Sequence, residues 1–148
     1  MKKFGIIGVG NPLRSDDGIG IFLLEKLVKQ KKTLPKEIEY IDAGTGGMNL
    51  LHIFCEFEVV ILIDAMQLNS KVGEFQLFTP DEIITNKNKF FISTHESQLP
   101  EVIQMSKELG ELPKHFFIFG VQPKDICYKK NLSKELQNKT NFLLKNLK

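Results

Sequence analysis

The chain has 148 residues, of which 42% are hydrophobic, and this is enough for one domain with a substantial core. Its formal net charge of +2 is too small to indicate a nucleic-acid-binding protein. No apolar stretch approaches the roughly 18 residues of a membrane span, and the apolar N-terminal run is too short for a signal peptide. We therefore expect a cytoplasmic protein that contacts neither nucleic acid nor membrane.

Short apolar runs recur along the chain, and most of them are separated by stretches with the helical spacing of apolar residues. The predicted strands are residues 3–7, 38–41, 59–63, 90–93 and 116–119. The predicted helices are residues 19–28, 48–54, 99–109 and, with a weaker pattern, 132–147. Strands that alternate with helices predict an α/β fold with a mostly parallel sheet covered on both faces.

Two details refine this fold. Residues 59–63 are continuously apolar, as expected for a central strand, whereas residues 73–79 alternate apolar and polar, as expected for an edge strand. Thr79 and Pro80 are suited to the cap and first position of a short helix. We predict one three-layer α/β domain over residues 1–148, with a twisted, mostly parallel sheet, helices on both faces and one antiparallel edge strand.

The turn between the first strand and first helix contains several glycines, and this location often forms a ligand site. Asp16 and Asp17 lie at the predicted helix start. Two acids there would repel a phosphate, so they suit a cation or proton transfer instead. Asn11 is expected to fix the turn through side-chain hydrogen bonds to the backbone.

Polar residues follow the other predicted strands, where open parallel sheets bind their ligands. Asp64 ends the third strand, His95 follows the fourth and Gln122 follows the last. Asp17, Asp64 and His95 are therefore the residues most suited to converge. Two carboxylates and one imidazole suit a divalent first-row metal, and three protein ligands leave coordination positions open.

Each of these residues has a second interpretation that the sequence leaves open. Asp17 is also suited to face the helix dipole, Asp64 to cap a turn, and His95 to form a hydrogen bond at a helix start. Residues 42–47 form either a simple turn that needs glycine or a space for an extended peptide. His52 and His115 are expected to be surface or helix-packing residues rather than ligands, and Cys55, in an apolar run, is expected to be buried.

The order of the motifs resembles that of the NiFe-hydrogenase maturation endopeptidases. The first is Gly-x-Gly-Asn-x-Leu-x-x-Asp-Asp-Gly, which begins at Gly8. Four further segments match in order: residues 42–47, residues 59–65 ending in Asp-Ala, residues 93–95 with the histidine, and residues 119–123 with Gly-x-Gln-Pro. Any one of these segments is a weak signal, whereas five in the same order are a strong one.

The resemblance implies an endopeptidase that removes the C-terminal extension of a nickel-loaded hydrogenase large-subunit precursor, its expected partner. Asp17, Asp64 and His95 would be catalytic and would contact the metal, which is nickel in the precursor or a metal of the enzyme's own. Asp16 would then be a helix cap or a support for this site. The residues assigned to substrate binding are Gly10, Asn11, Asp42, Gly44, Thr45 and Gly46.

Two competing functions remain at this point. A nucleotide-binding domain is suggested by Gly8 and Gly10 after a strand, with Asp42 as a ribose-binding acid, but Leu13 replaces the third glycine of that motif. The other competing function is that of a regulatory relative, which keeps the fold but does not cleave a precursor. The Gly-x-Ser-x-Gly motif of serine hydrolases and the His-Glu-x-x-His motif of zinc proteases are absent from the sequence.

Overall fold

One five-stranded sheet organises the chain in this computed structural model, which describes residues 3–30, 35–86, 98–124 and 126–147. The strands are β1 (Phe4–Gly8), β2 (Ile38–Asp42), β3 (Val59–Ala65), β4 (Phe75–Phe78) and β5 (His115–Val121). Their order is β2-β1-β3-β5-β4; the first four strands of this order are parallel, and β4 pairs antiparallel with β5 at one edge. The predicted α/β class and antiparallel edge strand are confirmed, while the strand predicted at residues 90–93 lies outside the described residues.

Helices cover both faces of this sheet. They are α1 (Ile19–Lys29), α2 (Leu50–Phe54), α3 (Pro80–Thr85), α4 (Gln98–Glu108), α5 (Lys134–Gln137) and α6 (Thr140–Leu147), with 3-10 turns at Ser15–Gly18 and Gly47–Asn49. The single helix predicted at residues 132–147 is two helices. Residues 138–139 form a turn between them, and the methylene groups of Lys139 lie against Gly73.

Two hydrophobic clusters, one on each face, hold the layers together. One joins the sheet to α2, α3 and α4, and the other joins it to α1, α5 and α6. Strand β3 contributes to both, because Val60 and Leu62 belong to the first cluster and Ile63 to the second, each with 0% exposure. Burying each such side chain contributes about 1.5–3 kcal/mol. The continuous apolar run therefore marks a central strand, as predicted.

Local signals also predicted the start of α3. The Thr79 hydroxyl accepts a hydrogen bond from the Glu82 backbone N–H, and the Glu82 carboxylate accepts one from the Thr79 N–H. Pro80 occupies the first helical position. These contacts satisfy backbone donors that a helix start leaves without intrahelical partners.

Three side predictions have different outcomes. His52 and His115 are exposed, as expected. The prediction that Cys55 is buried is wrong: this thiol is exposed and donates to the His52 carbonyl, because the short helix α2 ends just before it.

In the ranges that the structure describes, no helix has both the length and the apolar character needed to cross a membrane.

Candidate functional site

The loop from β1 to α1 folds back on itself because Gly10 has no side chain. Its φ angle is 146°, and a Cβ atom there would overlap the carbonyl oxygen of Asp17. This close approach lets the Asn11 N–H donate to Asp17 Oδ2 at 2.9 Å. The Asn11 side chain accepts from the Leu13 N–H at 3.0 Å, as predicted from its position in the turn.

Asp17 and Asp64 lie at the carboxyl edge of the central strands. Their exposed fractions are 3% and 1%. The Ser15–Gly18 turn, which contains Asp17, contacts β3, and Asp64 is the penultimate residue of that strand. Gly20 makes this packing possible, since a Cβ atom there would overlap the carbonyl oxygen of Ile63. The two carboxylates thus share the edge that the sequence predicted.

Both carboxylates are oriented by the backbone. Asp17 accepts from Asn11 as described, and Asp64 Oδ1 accepts from the Ala65 N–H at 2.8 Å. A carboxylate has two oxygens with several lone pairs, so one such bond is compatible with metal ligation and also restricts the rotation of the group. Carboxylate oxygens of this kind are suitable ligands for a divalent cation.

The third predicted ligand, His95, lies outside the described residues. Within the described residues, no group of three or more His, Cys, Asp or Glu side chains is arranged to hold a metal ion. Asp17 and Asp64 are therefore two candidate ligands on one edge, and the three-residue metal site stays a prediction.

The sequence left two roles open for Asp16, a helix cap or a support for the site. Asp16 is fully buried, and it accepts hydrogen bonds from the Lys124 N–H, the Ser133 N–H and the Ser133 hydroxyl at 2.8, 2.7 and 2.7 Å. The expectation of a helix cap is wrong, because the N-cap residues of the turn and of α1 are Arg14 and Gly18. Asp16 instead fastens the connecting segment, residues 124 and 126–133 between β5 and α5, to the first loop.

Ser15 fastens the same segment at a second point. Its N–H donates to the Lys129 carbonyl at 2.7 Å, and its hydroxyl donates to the Asn131 carbonyl at 3.0 Å. Ser15 has a φ angle of 52°, a left-handed conformation that costs a non-glycine residue about 1 kcal/mol or more. The two hydrogen bonds offset this strain, so the turn before Asp17 depends on the connecting segment.

Lys124 extends the attachment to α5. Its ammonium group lies 2.5 Å from a carboxylate oxygen of Glu135, and this hydrogen bond lowers the pKa of the Glu135 carboxyl. The backbone N–H of Lys124 is bonded to Asp16. One residue of the connecting segment thus joins the buried first loop to an exposed ion pair.

The second glycine loop, residues 42–47, lies beside the first. Asp42 Oδ1 accepts from the Gly44 N–H at 2.8 Å, and the Gly44 carbonyl accepts from the Gly10 N–H at 2.8 Å. Gly44 and Gly46 have φ angles of 57° and 78°, which glycine adopts at little cost. The two loops are therefore joined directly through their backbones.

An open groove of about 670 Å³ lies between these loops and the connecting segment. Its lining residues are Asn11, Arg14, Thr45, Gly46, Gly47, Met48, Asn49, Gln98 and Tyr128. Three predicted substrate-binding residues are among them: Asn11, Thr45 and Gly46. The other three, Gly10, Asp42 and Gly44, make the hydrogen bonds that shape and join the loops.

Sequence reasoning did not find Arg14 and Tyr128 as site residues. The Arg14 guanidinium lies 5.3 Å from the centre of the Tyr128 ring, although the two residues are far apart in the chain. The position of Arg14 within the first motif could have identified it, whereas no local sequence pattern identifies Tyr128.

Gln122, expected at the rim, is buried. Its side chain accepts a hydrogen bond from the Leu68 N–H and donates one to the Pro123 carbonyl.

Comparison with known proteins gives consistent results. The sequence profile of the family described as hydrogenase maturation protease (HycI) matches residues 22–147. The hydrogenase 2 maturation protease of Escherichia coli K12 is 33% identical over 125 residues, which cover 82% of this chain and 73% of that protein. The hydrogenase expression/formation protein HupD of Bradyrhizobium diazoefficiens is 30% identical over 82% of this chain and 62% of that protein.

The coverage of the HupD relatives is incomplete. The HupD protein of Thiocapsa roseopersicina is 27% identical over 82% of this chain but only 54% of its own length. The chain therefore matches somewhat over half of each of these two HupD proteins.

The solved structures agree with the sequence matches. The hydrogenase maturating endopeptidase HybD from E. coli superposes with a TM-score of 0.84 and 26% identity, over 98% of this chain and 89% of that chain. The profile covers most of the chain, and the fold extends over nearly all of it. The chain belongs to the hydrogenase maturation protease family.

Proposed function

We propose that this protein is an endopeptidase that removes the C-terminal extension of a hydrogenase large-subunit precursor in the cytoplasm. The observation that carries the proposal is the pair of buried carboxylates, Asp17 and Asp64, on the sheet edge that also carries the open groove. Membership of the hydrogenase maturation protease family supplies the expected reaction and partner.

The chemistry of the edge suits hydrolysis of a peptide bond. Carboxylates in a restricted environment beside a cleft are typical of groups that bind cations or transfer protons. The sequence contains neither the serine hydrolase nor the zinc protease motif, so an activated water is the simplest nucleophile. In this proposal the precursor segment lies in the groove, whose lining includes Asn11, the residue whose N–H donates to Asp17.

We assign Asp17, Asp64 and His95 to contact with nickel carried by the precursor; a metal bound by the enzyme itself is the alternative. A divalent metal near the scissile bond would polarise its carbonyl group. In this assignment Asp17 and Asp64 also hold the water and accept its proton. Three protein ligands leave coordination positions that the precursor can fill.

The first test compares the wild type with Asp64→Asn. Asparagine keeps the oxygen that accepts from the Ala65 N–H but removes the charge, so we expect a folded protein that no longer processes the precursor. Loss of the extension is followed by mass spectrometry, and folding by circular dichroism. Asp81→Asn is the matched control, since Asp81 is an exposed acid on α3 paired with Lys107. Normal processing by the folded Asp64→Asn protein would contradict the assignment.

The second test concerns nickel. The same enzyme is mixed with nickel-loaded and nickel-free precursor, and the loaded form should be cut far faster. His95→Ala should remove most of this difference, because imidazole is a nitrogen donor that suits nickel. Equal cleavage of both forms would refute metal recognition but leave the protease assignment intact. Binding of the precursor without any cleavage would favour a regulatory relative.

A further inference from the structure

Gln122 is a buried glutamine whose side chain is bonded to a loop. It follows β5 directly and is 5% exposed. Its side-chain oxygen accepts from the Leu68 N–H at 2.6 Å and from the Ser70 N–H at 3.5 Å, while its amide nitrogen donates to the Pro123 carbonyl at 3.0 Å. Leu68 and Ser70 belong to the β3–β4 loop, residues 66–74. Because a buried amide is costly without hydrogen bonds, these contacts fix both the side chain and the loop.

The conformation of the β3–β4 loop depends on this glutamine. Asn69 has a φ angle of 55°, a left-handed conformation that asparagine tolerates better than most residues. The N–H groups on either side of it, those of Leu68 and Ser70, converge on the oxygen of Gln122. Successive N–H groups around a left-handed residue form a small concavity that holds an acceptor. The Asn69 N–H itself donates to the Gln67 side chain at 3.3 Å.

Both ends of the loop are also fastened to the end of β5. At the start of the loop, the Met66 N–H donates to the Val121 carbonyl at 2.9 Å. At its end, the Gln122 carbonyl accepts from the Gly73 N–H at 3.0 Å, and the Gln122 N–H donates to the Glu74 carbonyl at 2.9 Å. Gln122 therefore holds the middle of the loop through its side chain and the end of the loop through its backbone.

Asp64 lies two residues before this loop. Its paired residue on β5 is Gly120, and a Cβ atom on Gly120 would lie 2.5 Å from Met66 Sδ, so the Met66 side chain packs directly beside this pair. One contact that orients the Asp64 carboxylate is the bond from the Ala65 N–H at 2.8 Å. The peptide that carries this N–H lies beyond the last residue pair of β1 and β3. On this side of β3, β5 and the loop hold it.

We propose that Gln122 is a positioning residue for Asp64, because it holds the β3–β4 loop and thereby fixes the end of β3 and the direction of the carboxylate. The proposal rests on the proposed function, which assigns Asp64 to the metal and the attacking water. Small displacements of a reacting group cost much of the rate, whereas the groove that binds the precursor has other walls. Loss of the Gln122 bonds should therefore slow the chemical step and leave binding nearly unchanged.

The first test measures amide hydrogen exchange by NMR in the wild type and in Gln122→Met. Methionine keeps the length of the side chain but removes its hydrogen bonds. The N–H groups of Leu68 and Ala65 should both exchange about tenfold faster, which corresponds to the loss of one hydrogen bond. If Leu68 exchanges faster and Ala65 does not, the loop does not transmit its position to Asp64, and the proposal is overturned.

The second test measures kcat and KM for processing of the precursor, followed by mass spectrometry. In Gln122→Met, kcat should fall about tenfold or more, while KM should change by less than about twofold. Leu27→Val is the matched control. Leu27 is 1% exposed and belongs to the hydrophobic cluster on the opposite face of the sheet from Met66, so its shortening lowers stability at a distance from the loop.

The control should keep both kcat and the slow exchange at Ala65. An unchanged kcat in Gln122→Met would overturn the proposal. An equal fall of kcat in Leu27→Val would also overturn it, because the effect would then follow from stability alone.

Folding and function are controlled separately. If circular dichroism shows that Gln122→Met is unfolded, Gln122→Asn replaces it. Its amide remains polar but is one methylene group too short to reach the Leu68 N–H in the same way, so the same changes are expected, and slow exchange at Ala65 in this variant overturns the proposal. The exchange measurement requires neither precursor nor nickel. Failure of the wild type to process any precursor would refute the proposed function, whereas exchange at Ala65 would still decide whether Gln122 positions Asp64.

Discussion

The two glycine loops at the carboxyl edge use glycine for different purposes. In the first loop, a Cβ atom on Gly10 would overlap a backbone carbonyl, and one on Gly18 would lie 2.7 Å from the Pro12 Cα. In the second loop, a Cβ atom on Gly44 would meet nothing within 4 Å, and the three atoms nearest to one on Gly46 all belong to side chains. The first loop is packed against backbone, whereas the second borders open space.

The acids in the two loops differ in the same way. Asp16 in the first loop is fully buried and holds a distant segment, whereas Asp42 in the second is exposed and accepts from a residue of its own loop. A packed loop fixes the positions of Asp17 and its neighbours. An open loop leaves room for a substrate. In the function that we propose, the first loop provides the chemistry and the second provides access.

The largest expected effect is a difference between two glycine substitutions. Gly10→Ala should destabilise the protein by on the order of 3 kcal/mol or more, because both the φ angle and the overlap with the Asp17 carbonyl force the backbone to move. Gly44→Ala should cost about 1 kcal/mol, the strain of a left-handed alanine in open space. Urea denaturation measures both. Equal losses would remove the distinction between the loops.

The second prediction compares the two acids. In Asp16→Asn, either orientation of the amide directs an NH₂ group at a backbone N–H, of Lys124 or of Ser133, so a loss of about 2–4 kcal/mol is expected. Asp42→Asn keeps an oxygen for the Gly44 N–H and should change stability by less than about 0.5 kcal/mol. Chemical denaturation of both variants checks this. A small loss of stability in Asp16→Asn would mean that the connecting segment is weakly held.

A smaller effect is expected at Ser15, where strain and hydrogen bonding oppose each other. Ser15→Ala keeps the left-handed strain and loses the bond to the Asn131 carbonyl, so it should destabilise by about 1 kcal/mol. Ser15→Gly loses the same bond but relieves the strain, and it should be about 1 kcal/mol more stable than Ser15→Ala. Thermal unfolding of the pair distinguishes the two contributions, and the reverse order would exclude backbone strain at this position.

The smallest effect is the pH dependence of the Lys124–Glu135 pair. The hydrogen bond from Lys124 lowers the pKa of Glu135 in the folded protein. At pH values between the pKa of Glu135 in the folded protein and its pKa in the unfolded protein, the unfolded protein therefore binds more protons. The stabilisation by the pair is fully present above the unfolded-state pKa and is lost as the pH falls through the folded-state pKa. The stability difference between wild type and Glu135→Gln should shrink on acidification and with added salt. A difference that grows on acidification would exclude this origin.

Local sequence patterns were sufficient for much of the fold. The continuous apolar run of β3, the alternation in β4 and the cap at Thr79 each report how a few neighbouring residues pack or bond, and all three predictions are confirmed. The position of Asp64 at the carboxyl edge followed from the same reasoning, because the ends of parallel strands meet at one edge.

Predictions from local sequence patterns were wrong where the position of a residue depends on a distant partner or on the point at which a short helix ends. Cys55 was misjudged because a short apolar run does not show where α2 stops. The single helix expected at residues 132–147 is two helices, separated by a turn at residues 138–139, where Lys139 lies against Gly73, far away in sequence.

By itself, the sequence determined the α/β sheet, its antiparallel edge and the order of motifs that resembles the hydrogenase maturation endopeptidases. Only the tertiary structure decided that Asp16 holds the connecting segment, that Ser15 is strained, and that Tyr128 reaches Arg14 at the groove. The physical reason is range: periodicity and capping depend on residues within a few positions, whereas these contacts form only after the sheet has brought the two ends of the chain together.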